Sequence, residues 1–157
     1  MTRSRRVLGV VLSIAVLAAC SGEPRLTRAN FQQRANDECG TLQKASEQFA
    51  KAQAPGAQGE DVARYMHSGA DELRRLVDRL AGLAPPEEME EDVDALLEVL
   101  GDYADGLDRL ADRVGAEQTF QDVLQESPAI VRKLHRLAER ATNLVAVLGL
   151  VGCVLPA

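Results

Sequence analysis

Tryptophan is missing from this chain, and aromatic residues of any kind are few, three Phe and two Tyr in 157 residues. A core therefore has to be built from Leu, Val and Ala, and the aromatic platforms on which proteins stack bases or sugars are not to be expected. Histidine is almost absent too, represented by His67 and His135. There are only three cysteines and no Cys-x-x-Cys, which removes the usual motif of thiol redox chemistry. The apolar run from Val7 to Ala19 is 13 residues, too short for a spanning helix of roughly 20. Positive charge is in deficit, 18 basic against 24 acidic residues, which argues against nucleic acid or an anionic lipid surface as partner.

Catalytic signatures are missing as well. The chain contains no Gly-x-Ser-x-Gly, no His-Glu-x-x-His and no glycine-rich phosphate loop. Carboxylate-bridged metal centres in helical bundles draw on Glu-x-x-His, but the positions three before His67 and His135 are Arg64 and Arg132. His67 with Asp71, and His135 with Glu139, are spaced i to i+4 and read as surface contacts rather than ligands. An activated nucleophile needs an adjacent, oriented base, and two histidines among arginines supply none. The expectation is a non-enzymatic protein with no catalytic residues, no metal site and no cofactor.

What the chain does have is a distinctive N-terminus. Arg3, Arg5 and Arg6 precede the apolar run, which closes on Leu17-Ala18-Ala19-Cys20. A basic region, an apolar stretch and small residues before the cut make a signal peptide, and a cysteine at the cut makes it a lipobox. Residues 1–19 are therefore expected to be a lipoprotein signal peptide, with Cys20 the lipidated first residue of the mature protein. Two acyl chains hold a protein firmly where one does so only marginally, so diacylated Cys20 would suffice as anchor on the outer face of the cytoplasmic membrane. Residues 20–26 form a tether, of which Ser21 to Leu26 span at most about 20 Å. Residues 27–157 form one domain, and the mature chain keeps 15 basic against 24 acidic residues.

The domain is patterned for helices throughout. Thr27 is a candidate N-cap for a first helix to about Ala52, with Phe31, Ala35, Cys39, Leu42, Ser46 and Phe49 on one face. A second, about Glu60 to Leu83, places Val62, Met66, Gly69, Leu73, Leu76, Leu80 and Leu83 at alternating steps of four and three, a heptad seam. Pro85-Pro86 breaks it. A third, about Pro86 to Val114, repeats the seam with Val93, Leu96, Leu100, Tyr103, Leu107, Leu110 and Val114. A shorter stretch from about Glu117 to Gln125 leads into Ser127-Pro128. Phe120 and Val123 are in phase with Ile130, Leu134, Leu137, Ala141, Leu144 and Leu148, so this last part is either one helix kinked at Pro128 or two. No strand pattern competes, and the predicted fold is an all-α antiparallel four-helix bundle.

Charge and cysteine placement agree with that arrangement. Between Glu87 and Val114 there are 11 acids, six of them crowded at the start, where they complement the helix dipole. The last helix carries Arg132, Lys133, Arg136 and Arg140 against Glu139, so these two helices are expected to be neighbours. Cys39 and Cys153 form an even pair in an exported chain, for which a disulfide is the economical reading and two buried free thiols the alternative. The first and last helices, about 39 and 32 Å long at 1.5 Å per residue, leave that pairing within reach.

The Phe31-x3-Ala35-x3-Cys39 helix soon after a lipobox, Pro85-Pro86-Glu87 in mid-chain, and the closing Gly149-Leu150-x2-Cys153 resemble the small lipoproteins common in high-GC Gram-positive bacteria. The resemblance covers most of the mature chain. It implies a helical bundle on the outer face of the cytoplasmic membrane, closed by Cys39 and Cys153, and it brings no catalytic residues. Two functions fit. The leading one is an interaction or structural module of the cell envelope that engages another envelope protein through an exposed helix face or a bundle groove. The other is a carrier of a small apolar ligand or a metal ion between its helices. A cavity lined by Leu and Val favours the carrier, and a filled core with an apolar surface patch favours the interaction module. Gly69, Gly101 and Gly106 bear on both, as sites of close helix approach or as pocket makers.

Overall fold

A computed structural model describes residues 25–153. The expected signal peptide, the lipobox and the lipidated Cys20 lie outside the described residues. The fold is all-helical: α1 (Arg28–Cys39), α2 (Leu42–Ala52), α3 (Glu60–Ala81), a 3-10 turn (Glu87–Met89), α4 (Glu90–Ala111), α5 (Phe120–Glu126) and α6 (Pro128–Leu148), with no strand among the described residues.

The heptad seams form the core as expected, except at their ends, where Leu83 and Val114 lie past the helices and are only partly buried. Val62, Met66, Gly69, Leu73, Leu76 and Leu80 of α3 are buried, as are Val93, Leu96, Leu100, Tyr103, Leu107 and Leu110 of α4. α3 packs along α4 and on its other flank along α2, while α6 packs on α4. The expected charge match of α4 with α6 is present, as Lys133 Nζ reaches Asp102 at 3.0 Å and Arg140 reaches Glu98 at 3.6 Å. Cys39 and Cys153 stand at disulfide distance, their Cα atoms 4.9 Å apart.

The predicted single helix from Thr27 to Ala52 is instead two, broken at Gly40-Thr41. Thr41 Oγ1 donates to the Glu38 carbonyl at 2.7 Å, and the Thr41 N–H goes to the same carbonyl at 3.1 Å. Both bonds take an acceptor that a continuing helix would need, a competition open to Ser and Thr side chains. Arg79 of α3 grips the break, with Nη2 donating to Thr41 Oγ1 at 2.6 Å and Nε 2.8 Å from a Glu38 carboxylate oxygen. The apolar face shifts at this break. Ala45 is fully buried, and Ser46, which the unbroken pattern placed inside, is only half-buried.

The open question at Pro128 resolves as two helices. Ser127 leaves helical geometry, at φ −120° and ψ 47°, and Pro128 takes the first position of α6, where its missing N–H costs nothing. Thr119 and Asp122 form a capping box that starts α5. At the far end of α6 a Schellman motif stops the helix, with Leu150 N–H to Val145 O at 2.9 Å and Gly149 N–H to Ala146 O at 3.2 Å. Gly149 sits at φ 71°, which favours glycine. The chain then doubles back along α1. Gln32 Nε2 donates to Leu148 O at 2.7 Å, and Gly152 N–H donates to Asn36 Oδ1 at 2.9 Å.

The tether is shorter than the sequence pattern implied. Leu26 N–H bonds Ala84 O at 2.8 Å, and Arg25 pairs with Glu90 at 2.8 Å. Both residues, assigned from sequence to the tether, are docked on the α3–α4 connection.

Candidate functional site

The site follows from the break. α1 is tied to the end of α6, but α2 turns away to pack on α3, and a groove of about 600 Å³ opens between α2 and α6. Such a volume lies within the roughly 300–1,000 Å³ typical of small-molecule sites. α4 supplies the floor through Tyr103, Leu107 and Leu110, α2 one wall through Phe49, and α5 one end through Phe120 and Leu124. On the α6 side the lining is Val131, Leu134 and Ala138, edged by His135, Glu139, Thr142 and Asn143, with Gln53 across from them. The interior is thus hydrocarbon and the rim polar. Tyr103 contributes a hydroxyl, and burial pushes its pKa up so that it stays an O–H donor at neutral pH.

Two of the three glycines singled out by pattern set the width of this groove. A Cβ at Gly69 would lie 2.8 Å from Phe49 Cζ, and one at Gly106 would lie 2.6 Å from Leu134 Cδ2. Each glycine therefore lets a wall residue sit back. A Cβ at Gly101 would meet nothing within 4 Å, so that glycine belongs to the helix exterior.

The two histidines part company. His135 lines the groove rim together with Glu139. His67 does not turn to Asp71. Its Nδ1 bonds Asp108 Oδ1 across the α3–α4 interface at 2.7 Å, with Nε2 3.6 Å from Asp112. Arg74 bonds the other Asp108 oxygen and Asp105 at 2.9 Å. Burial alone would raise the Asp108 pKa, but the bonds from His67 and Arg74 outweigh it and hold the carboxyl below its ordinary range. The same carboxylates push the Arg74 pKa up. With both Asp108 oxygens engaged, this cluster braces α3 against α4. Among the described residues no group of three or more His, Cys, Asp or Glu is placed to hold a metal ion. No described helix is long and apolar enough to cross a membrane.

Phe120, Tyr103, Leu107 and Leu134, core positions by their spacing, also face the groove. The signal lay in Gly69 and Gly106, but a glycine on a seam reads the same whether it admits a neighbouring helix or a neighbouring side chain. No known family matches the sequence, and no curated protein or solved structure matches the chain.

Proposed function

We propose that this chain is a lipid-anchored extracytoplasmic binding protein that carries a small apolar ligand. In this reading it is an antiparallel four-helix bundle in which α1 and α2 together make the first rod. Acylated Cys20 holds it on the outer face of the cytoplasmic membrane, and the ligand occupies the groove between α2 and α6. One observation carries the reading: a groove of about 600 Å³ whose interior is Phe, Leu, Val and Tyr rather than packed core. The polar rim of Gln53, His135, Glu139 and Asn143 suits a ligand with an apolar body and a hydrogen-bonding, uncharged end. The anchor rests on the lipobox and on the resemblance to small envelope lipoproteins. No catalytic step is assigned.

The test is a fluorescence titration of the mature domain with N-phenyl-1-naphthylamine, a neutral apolar probe that brightens out of water. Saturable binding at one site is expected, and Ala138→Trp, which sets an indole into the groove wall, should abolish it. Ala129→Trp, at an exposed site on the first turn of α6, should bind as wild type does. Binding unaffected by Ala138→Trp, or no saturable binding at all, overturns the carrier reading. The competing reading, an envelope interaction module, is favoured by a separate feature. Val147 and Val151 are 61% and 86% exposed, the large apolar side chains left in solvent among the described residues.

A further inference from the structure

We propose that Val147 and Val151 are a membrane contact, on which the domain rests beside its own lipid anchor. The inference depends on the lipid-anchor reading of Cys20 and goes beyond it by assigning the exposed valines to the bilayer rather than to a protein partner.

The argument is one of position. Val147 lies one residue before the end of α6 and Val151 in the turn that follows. The bonds from Gln32 to Leu148 and from Gly152 to Asn36, and the Cys39–Cys153 pair, fix this segment against α1. Asn36 is eight residues into the chain from Arg28, where α1 begins, so the patch lies within about 12 Å of that start along the helix axis. The chain before α1 is pinned at the same end, by Leu26 on Ala84 and Arg25 on Glu90. From Arg25 back to Cys20 there are five residues, at most about 18 Å of chain. A lipid on Cys20 therefore keeps the start of α1, and the valines beside it, within touching distance of the bilayer.

Charge selects which side of that end faces down. Glu87, Glu88, Glu90 and Glu91 crowd the α3–α4 corner, and sinking charged carboxylates into any lipid surface, a neutral one included, costs their desolvation. The α1–α6 side, which carries the valines, is left to make the contact. The surface that fits is therefore a neutral or zwitterionic lipid face. The groove opens along the side of the domain, from Gln53, 25 residues from Arg28, to Asn143, one turn of α6 before Val147.

The absence of tryptophan supplies the test. Val147→Trp and Val151→Trp each become a sole reporter in the full chain, expressed with its leader in a host that acylates it. The protein is reconstituted into phosphatidylcholine vesicles with brominated acyl chains. Co-flotation with vesicles, a blue-shifted emission and loss of most of that emission to bromine are expected at both positions, while Gln121→Trp at the far end keeps its intensity. In the unsubstituted protein, amide exchange over residues 146–152 should slow on reconstitution. Co-flotation with unquenched, red emission at position 151 overturns the proposal while leaving the anchor intact. A blue shift without quenching means that a second protein copy covers the patch, and overturns it too. Failure to co-float removes the anchor and the contact together.

Discussion

Gly101 and Gly106 lie five residues apart on α4, and the same substitution should stabilise at the first and not at the second. In Gly101→Ala the new methyl meets nothing within 4 Å, so only the backbone effect acts, a gain of roughly 0.5–1 kcal/mol from better helix propensity and a stiffer unfolded chain. In Gly106→Ala the same gain is available, but the methyl would lie 2.6 Å from Leu134 Cδ2 and 3.4 Å from Leu134 Cγ. Leu134 is 7% exposed and packed on α4. Its tip has to rotate toward the groove or α6 has to back away, and overpacking of this kind costs about 1–3 kcal/mol. The net for Gly106→Ala is thus near zero to about 2 kcal/mol destabilising, and the two variants should differ by about 1–3 kcal/mol. Thermal unfolding should show Gly101→Ala a few degrees above wild type and Gly106→Ala level with it or below, at roughly 4 °C per kcal/mol. The probe titration adds a second readout. Gly106→Ala should weaken naphthylamine binding because the displaced Leu134 tip enters the groove, and Gly101→Ala should leave it unchanged. If Gly106→Ala stabilises as much as Gly101→Ala and binds as tightly, the close approach of α6 at Gly106 is not real and the groove boundary drawn here is wrong.

Gly69→Ala should behave as Gly106→Ala does, because its methyl would lie 2.8 Å from Phe49 Cζ and drive that ring into the groove; unchanged probe affinity in this variant would count against the α2 wall. Replacing both Cys39 and Cys153 by Ser should lower stability in urea by about 2–5 kcal/mol, as for loss of a disulfide closing a long loop, while probe affinity well below the melting temperature stays the same because α2 is held by α3. Asp108 has a depressed folded pKa, so its contribution is present above the ordinary carboxylate range and lost as pH falls through its folded value. Melting temperature followed from pH 7 to pH 2 should therefore fall less steeply below about pH 4 in Asp108→Asn than in wild type, and an identical acid limb would show that the His67–Asp108–Arg74 brace carries no net stability.

The long seams were legible because they are self-contained. The four-three spacing from Val62 to Leu80 and from Val93 to Leu110 decides burial within one helix, whatever that helix packs against. The break at Gly40-Thr41 was not legible from the same pattern, since Phe31, Ala35, Cys39 and Leu42 stay in phase across it. It depends on Thr41 Oγ1 taking the Glu38 carbonyl and on Arg79, 38 residues away, holding Thr41. His67 was read against Asp71 on its own helix because that spacing is visible in sequence, whereas its partner Asp108 is 41 residues away on α4. The groove was hidden for a related reason. It arises where two helices fail to touch, and apolar periodicity reports which residues seek burial, not whether a partner arrives to bury them.

The groove and the doubled-back tail lie along one line, where α1 and α2 face α6. Along α1, from Gln32 to Cys39, the space beside α6 is filled by Leu148, Leu150 and Cys153, which are 1%, 1% and 5% exposed. The Schellman turn at Gly149 makes that filling possible by sending the chain back along α1. Past the break no segment of the described chain plays this part, and α6 presents Ala138 and Thr142 where bulkier side chains would have closed the gap. On the carrier reading proposed above, an occupant of the groove would do for α2 and α6 what Leu150 does for α1 and α6. It would contribute apolar contact along hydrocarbon walls, with its polar end left at the rim. If such an occupant binds the folded chain alone, a hundredfold excess over its dissociation constant would raise stability by about 2.7 kcal/mol. That is comparable to burying one more large core side chain, which is what the distal half of the seam lacks.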